Sequence, residues 1–325
     1  MNTFKKIGLT ALAGSLVAVS VNAAELSVTG GAGITFSGQD KTAKGNGWTM
    51  TDSMTFAGSA ELDNGWTVST SFLLDDSDSS GDTHTFDDRS MSIAMGDAGT
   101  ITINGRGGSS AMGAVDDVMP TASGNESWDL GAQATGGTAL TDSQKIGGTS
   151  GDDNLVYNNS SIVDGLSLTI SYQPSDTAVI ESTTSYAIAY TGVEGLTVGY
   201  GADENGLLTT ANIEKNTMYA KYAYGPVTVG YQKSEADLAS STNDDEFSAM
   251  AISYTISDDL SVSYAESAYD HGDVAVDTEY SMIAASYTMG SMSLAVSLQD
   301  IKNIGGSTAT LDDVTAYELA LSFVF

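Results

Sequence analysis

Apolar and polar residues take turns along much of this chain. The last segment, Tyr317-Glu318-Leu319-Ala320-Leu321-Ser322-Phe323-Val324-Phe325, sets a large apolar side chain at every second position and stops on an aromatic. Period-two alternation predicts a strand with one apolar face. The pattern returns in Leu166-Leu168-Ile170-Tyr172, with Ser167, Thr169 and Ser171 between. It is repeated in Leu196-Val198-Tyr200, Val227-Val229-Tyr231, Leu260-Val262-Tyr264 and Met292-Leu294-Val296-Leu298.

These strands keep a rhythm. They start near Gly65, Gly99, Gly165, Gly195, Gly225, Asp259 and Gly290, at steps of 34, 66, 30, 30, 34 and 31 residues. Tight-turn sequences such as Asp63-Asn64-Gly65 and Val163-Asp164-Gly165 open the units. Asn-Gly and Asp-Gly are strong hairpin signals. Longer polar stretches close them, near 76–83, 174–182, 202–213, 234–244, 268–277 and 300–312. Seven such hairpin units, preceded by strands over roughly 25–38 and 47–63, predict sixteen strands. Short turns on one side and long loops on the other are the asymmetry of barrels that cross a membrane.

The two strand faces differ in kind. One carries Leu, Val, Ile, Met, Phe and Tyr; the other carries Ser, Thr, Gly, Ala and Gln. A soluble barrel would turn the apolar set inward, but side chains as small and polar as the second set make a poor core. The predicted fold is therefore all-β: a transmembrane antiparallel β-barrel of sixteen strands, apolar outside and wet inside. Tyr172, Tyr200, Tyr231, Tyr264, Tyr287, Trp48 and Trp66 are placed to form interfacial girdles.

The ends of the chain agree. Lys5 and Lys6 precede an apolar run from Ile7 to Val21, and Val21-Asn22-Ala23 offers a small-residue exit. This three-part organisation reads as a secretory signal peptide over 1–23, leaving one barrel domain over 24–325. No later stretch approaches the ~18 apolar residues of a spanning helix. The three prolines, Pro120, Pro174 and Pro226, avoid the predicted strand interiors, as residues without a donor for the ladder should. There is no cysteine, so the fold closes without disulfides. A net charge of −31 argues against nucleic acid as a partner and for a surface that gathers cations.

The 66-residue step holds one unit plus an insertion. Its extra sequence makes a loop over about 108–151, rich in Gly and bearing Asp116, Asp117, Glu126 and Asp129. Loops this long are usually functional or disordered. Folded inward, this one would narrow the lumen to a size filter.

Arg89-Ser90-Met91-Ser92-Ile93-Ala94-Met95-Gly96-Asp97-Ala98-Gly99-Thr100-Ile101-Thr102-Ile103-Asn104-Gly105-Arg106 resembles the fourth-to-fifth-strand hairpin of Gram-negative general diffusion porins, especially the alphaproteobacterial type. Ala24-Glu25-Leu26-Ser27-Val28-Thr29-Gly30 and the terminal Phe325 are similar too. The resemblance implies a sixteen-stranded homotrimer in the bacterial outer membrane, in contact with its lipid and lipopolysaccharide. It implies passive diffusion of small hydrophilic solutes and ions past a third loop folded into the pore. In that family acidic loop residues face a basic wall. Carried over, the loop set is Asp116, Asp117, Glu126 and Asp129, and the wall set is Arg89 and Arg106, with Lys145 and Lys221 completing the constriction. Parity turns Arg106, Lys215 and Lys221 inward but groups Arg89 with Met91 and Ile93, so a bulge must intervene if Arg89 is to line the pore.

The usual cluster of wall arginines is missing. The chain has 11 Lys and Arg in all, and two of them, Lys5 and Lys6, fall in the leader. So few cations against acidic loops predict a cation-selective pore. Asp76, Asp78, Ser80 and Asp87, with Gly81, have the spacing of a calcium loop. Strands flank it rather than helices, so a solvated acidic loop is the plainer reading and calcium the alternative. His84 and His271 lie in separate loops, and no nucleophile elbow or phosphate loop is present; the chain reads as no enzyme. Two rivals stand beside the diffusion channel: a substrate-selective channel of the same architecture, and a secreted acidic β-structural or adhesive protein.

Overall fold

A computed structural model describes residues 25–40, 46–75, 86–130, 145–175, 182–205, 213–238, 244–272, 274, 276–306 and 313–325. The leader over 1–23 lies outside these, as do Asp76, Asp78 and Ser80.

The alternating segments form strands. In chain order they are β1 (Glu25–Gln39), β2 (Gly47–Glu61), β3 (Thr67–Asp75), β4 (Arg89–Ala94) and β5 (Thr100–Arg106). Two-residue strands β6 (Gly108–Ser109) and β7 (Ser150–Gly151) follow, then β8 (Asn154–Asn159), β9 (Leu166–Gln173), β10 (Thr183–Val193) and β11 (Leu196–Asn205). The remainder are β12 (Ile213–Tyr224), β13 (Val227–Leu238), β14 (Asp245–Ser257), β15 (Leu260–Asp270), β16 (Thr278–Met289), β17 (Met292–Lys302) and β18 (Val314–Val324). All but β6 and β7 join one closed antiparallel barrel of sixteen strands, each paired to its neighbours in sequence order. β6 and β7 pair with each other, apart from the wall.

Closure occurs where β1 meets β18, from Gly31 opposite Val324 to Gln39 opposite Ala316. Beyond the ladder, Gly30 and Phe325 exchange both backbone hydrogen bonds at 2.9 Å. The hairpins turn where the glycines predict. Gly65 and Gly195 have φ of 81° and 74°, a region that L side chains enter at a cost. At Gly195 an added Cβ would also strike the carbonyl oxygen of Ala223.

Alternation decides the faces. On β14, Phe247 and Ala249 are buried inside the barrel while Met250 is 56 % exposed on the other face. On β10, Ser185 and Ala187 are buried while Tyr186 and Ile188 are exposed. Among the described residues no helix is long and apolar enough to cross a membrane; the strands present the apolar band instead.

Several strands outrun their predicted ends. β11 continues to Asn205, β13 to Leu238 and β17 to Lys302, where polar residues suggested loops. The ladder needs no apolar side chains to continue, and here charge supports it. Lys233 pairs with Glu235 at 2.9 Å and with Glu246 on β14 at 3.2 Å. The polar ends of these strands are wall that stands above the apolar band.

Candidate functional site

The inserted segment folds into the barrel. β6 and β7 form its neck, reinforced by Ser110 N–H donating to Thr149 O at 2.8 Å. Asp203, buried on β11, clamps the neck by accepting from Ser110 Oγ at 3.0 Å and Thr149 N at 2.6 Å. At the root, Asn154 on β8 accepts from Asn104 and donates to Ser109 O.

From the neck the loop runs across the inner wall. A chain folded into a barrel brings orphan backbone groups that need partners, and the small polar residues of the inner face provide them. Ala111 N donates to Ser171 Oγ at 2.8 Å and Met112 N to Ser185 Oγ at 2.9 Å. Ala122 N donates to Ser263 Oγ at 2.9 Å. Gln232 Nε2 reaches Asp116 O, and Gln299 Nε2 reaches Ser127 O. Ser123 and Ser127 bond the hydroxyls of Ser297 and Ser267, each at 2.8 Å. Apolar contacts complete the seat. Met112, Val115, Met119, Trp128 and Ile146 pack against Ala187, Tyr219, Phe247, Ala249 and Ala265. Trp128 meets Phe247 edge-on with ring centroids 5.0 Å apart. Glycine lets the loop come this close: a Cβ on Gly201 would lie 2.6 Å from Val115 Cγ2, and one on Gly230 2.6 Å from Pro120 Cδ.

The expected constriction residues divide into groups. Asp116, Asp117, Glu126, Asp129 and Lys145 come together on the loop. Lys145 Nζ lies 3.3 Å from Asp116 Oδ1 and 2.9 Å from Asp117 Oδ2. Asp116 is buried and also accepts from Gly148 N; Asp117 is exposed. Burial opposes the charge of Lys145, but the two aspartates outweigh it and raise its pKa. Glu126 is 8 % exposed, and its N–H donates to Asp129 Oδ2 at 2.7 Å. Burial, then hydrogen bonding to Asp129 and repulsion from Asp117, pushes the Glu126 carboxyl up to about 9. Burial also raises Asp129, against the hydrogen bonds to Glu126 that lower it. Burial thus works against the negative charge that the sequence suggests for Glu126.

The wall cations behave differently from the expected arginine wall. Lys221 Nζ donates to Val118 O and Lys215 Nζ to Gly147 O, both at 3.2 Å. They hold the loop's backbone rather than face its carboxylates. Arg89 stays in register with Phe72 and in phase with Met91, the lipid-facing set, and its guanidinium reaches Gly105 O at 3.4 Å. It does not join the loop cluster: the bulge lies on β5, opposite Arg89 and Ser90, and leaves the phase of β4 unchanged. Beyond that bulge alternation no longer fixes the direction of Arg106; burial, with Asp87 and Asp75 nearby, raises the Asp88 pKa, and Arg106 lies close enough to oppose that rise without reversing it.

Of the candidate calcium ligands only Asp87 is described, and the described residues contain no group of three metal-binding side chains. Sequence reasoning missed Asp203, Gln232 and Gln299 as loop anchors. Their signal was present: each is a larger polar side chain at an inward position otherwise held by Ser, Thr, Gly or Ala.

A barrel of sixteen strands with a loop seated inside it is similar to several solved structures. A porin refined at 1.8 Å resolution is 18 % identical, with a TM-score of 0.66 over 93 % of this chain and 100 % of that one. An anion-selective porin from Comamonas acidovorans is 12 % identical, with a TM-score of 0.68 over the same shares. A loop-deleted variant of OmpT, an outer membrane protein of Vibrio cholerae, is 13 % identical, with a TM-score of 0.67 over 93 % and 99 %. No curated protein matches the chain in sequence. The family model for Gram-negative porins matches residues 8–306. The chain thus belongs to the Gram-negative porins, and is an outer-membrane channel for passive diffusion rather than an enzyme.

Proposed function

We propose that this channel passes small hydrophilic solutes through a water-filled lumen and prefers cations. One observation carries the preference: each described lysine that points inward is answered by an oxygen of the loop. Lys145 meets Asp116 and Asp117, Lys215 meets Gly147 O, and Lys221 meets Val118 O. Opposite the loop, the inward positions of β2 and β3 hold Thr51, Ser53, Ser69, Ser71 and Asp75, with no basic residue among them. Exposed Asp117 and the cluster beside it then set the sign of the field in the lumen. The barrel itself does not decide this, since one protein of similar fold is an anion-selective porin. Reversal potentials across a potassium chloride gradient in planar bilayers should show cation preference; anion preference would overturn the proposal.

General diffusion, rather than recognition of one solute, is favoured because Tyr219, Phe247 and Trp128 are covered by the loop or form its seat. They offer no aromatic track to a passing substrate. Liposome swelling should fall smoothly with solute size across unrelated sugars and amino acids.

The rest of the reading concerns processing and partners. Residues 1–23 act as a leader that is removed, and 24–325 form the mature barrel. The barrel works as a homotrimer. Exposed Asp52, outward between Met50 and Met54 on β2, supports cover by a second copy, because a carboxylate facing lipid is costly. Lipopolysaccharide is the neighbour elsewhere. A depression of about 460 Å³ above Tyr231 and Tyr264 is rimmed by Glu266, Glu279, Asp300 and Lys302, a polar collar at the level of head groups.

A further inference from the structure

Two charged side chains stand on the lipid side of the wall. On the outward positions of β1 to β4 and β18, the charged residues are Asp52 and Arg89, and both are exposed. Asp52 lies on β2 between Met50 and Met54, with Trp48 and Phe56 beyond them on the same face. Apolar side chains on both sides along the strand place it inside the apolar band, away from the level of head groups. Among the described residues it has no hydrogen-bonding or ionic partner. A bare carboxylate at that depth is costly unless a cation covers it. Around it is a recess of about 480 Å³, floored by Ala32 and walled by Met50, Met54, Leu74 and Phe325.

Arg89 has the opposite need. Its one hydrogen bond among the described residues is long, to Gly105 O at 3.4 Å, and leaves most of the five guanidinium donors unused. The side chain lies flat on β5, where a Cβ on Gly105 would come 2.8 Å from its Nε. That direction leads away from β2. Along the sheet Arg89 stands across β3 from Phe56, with Phe72 between them. Asp52 lies four residues further along β2, so the two Cα atoms are about 16 Å apart. The two charges do not meet within one copy.

We propose that they meet between copies: Arg89 of one barrel enters the recess of the next and pairs with its Asp52. The proposal rests on the reading of the barrel as a homotrimer and names the contact that holds it. The aliphatic stem of the arginine lies along the methionines and Phe325, and its planar fork meets the carboxylate with two donors at once, which lysine cannot do. The contact is heterologous, one patch against a different one, so it forms a ring if the rotation closes. Two strands of a sixteen-stranded circle subtend about 45°. Seen from one member, the two neighbours lie about 60° apart in a ring of three and about 90° apart in a ring of four. Patches on β2 and β4 thus suit three copies, with β3 nearest the axis.

Charge exchange tests this. The full-length channel is extracted in mild detergent, its mass is read by sedimentation, and its strand content is checked by circular dichroism. Asp52→Arg and Arg89→Asp should each turn the trimer into folded monomers, and the double exchange D52R/R89D should restore it. A trimer that survives either single exchange, or a double exchange that stays monomeric, would overturn the pairing and leave the homotrimer standing. Monomers in the unchanged protein would instead overturn the homotrimer itself. If the exchanged chains do not fold, Asp52→Asn and Arg89→Gln decide. Each should lower the temperature at which the trimer separates, and D52N/R89Q should lower it no further than the worse single change. Losses that simply add would overturn the pairing, as expected if Asp52 is covered by a lipid amine rather than by a second copy.

Discussion

Glu126 and Lys145 show how the loop treats charge. Lys145 is stabilised in its charged form by two aspartates, and burial works against the charge of Glu126. The consequence for stability has a definite sign. Glu126 ordinarily titrates at 4.5 and in the folded loop near 9. Between those values the unfolded chain gives up the proton while the folded chain keeps it, so stability is full below 4.5 and declines until about pH 9. Glu126→Gln lacks this decline, and its melting temperature by circular dichroism should fall less than that of the unchanged protein between pH 5 and pH 10. Gln299 offers a second test. Gln299→Ala leaves Ser127 O buried without its donor, a loss of about 1–3 kcal/mol. That loss should appear as faster proteolysis within the loop while the barrel still resists denaturant.

At the level of elements, parity does most of the work. On β14 Ile252 faces outward and Ala251 inward. Ile252→Arg should destabilise the barrel by about 2–4 kcal/mol in lipid unfolding titrations if it lies near the bilayer midplane. A basic residue at inward Thr102 on β5 should instead leave stability nearly unchanged and shift selectivity toward anions. The loop's seat depends on bare backbone. Gly201→Val would force a side chain into Val115 and Met112, push the loop off the wall and lower single-channel conductance. These elements differ in how readable they were. Strand number, hairpin turns and the two faces follow from period two and from turn residues such as Gly65 and Gly195, because both are local signals. The loop's path is not local. It depends on Ser171, Ser185, Gln232 and Gln299 meeting backbone groups far away in sequence, and a Ser that holds a loop looks in sequence like a Ser that faces water. Arg89 shows the limit from the other side: its phase was legible, while the family pattern that suggested a pore-lining role was not supported by the register. The burial of Glu126 was likewise hidden, because composition records a residue's type and not its exposure.

For the whole molecule, selectivity is a sum over the lumen and not a property of the fold. One protein of similar fold is an anion-selective porin, so the architecture alone does not choose the sign, and the proposed cation preference stands or falls with the loop's charge. The seam carries a different consequence. β1 bonds to β18, and Gly30 to Phe325, so the first strand to be made waits for the last. Until the final aromatic arrives, both borders of the sheet keep unpaired N–H and C=O groups that invite strangers. Closing that seam removes both borders at once, and a barrel left open there is the form most prone to pair with another chain.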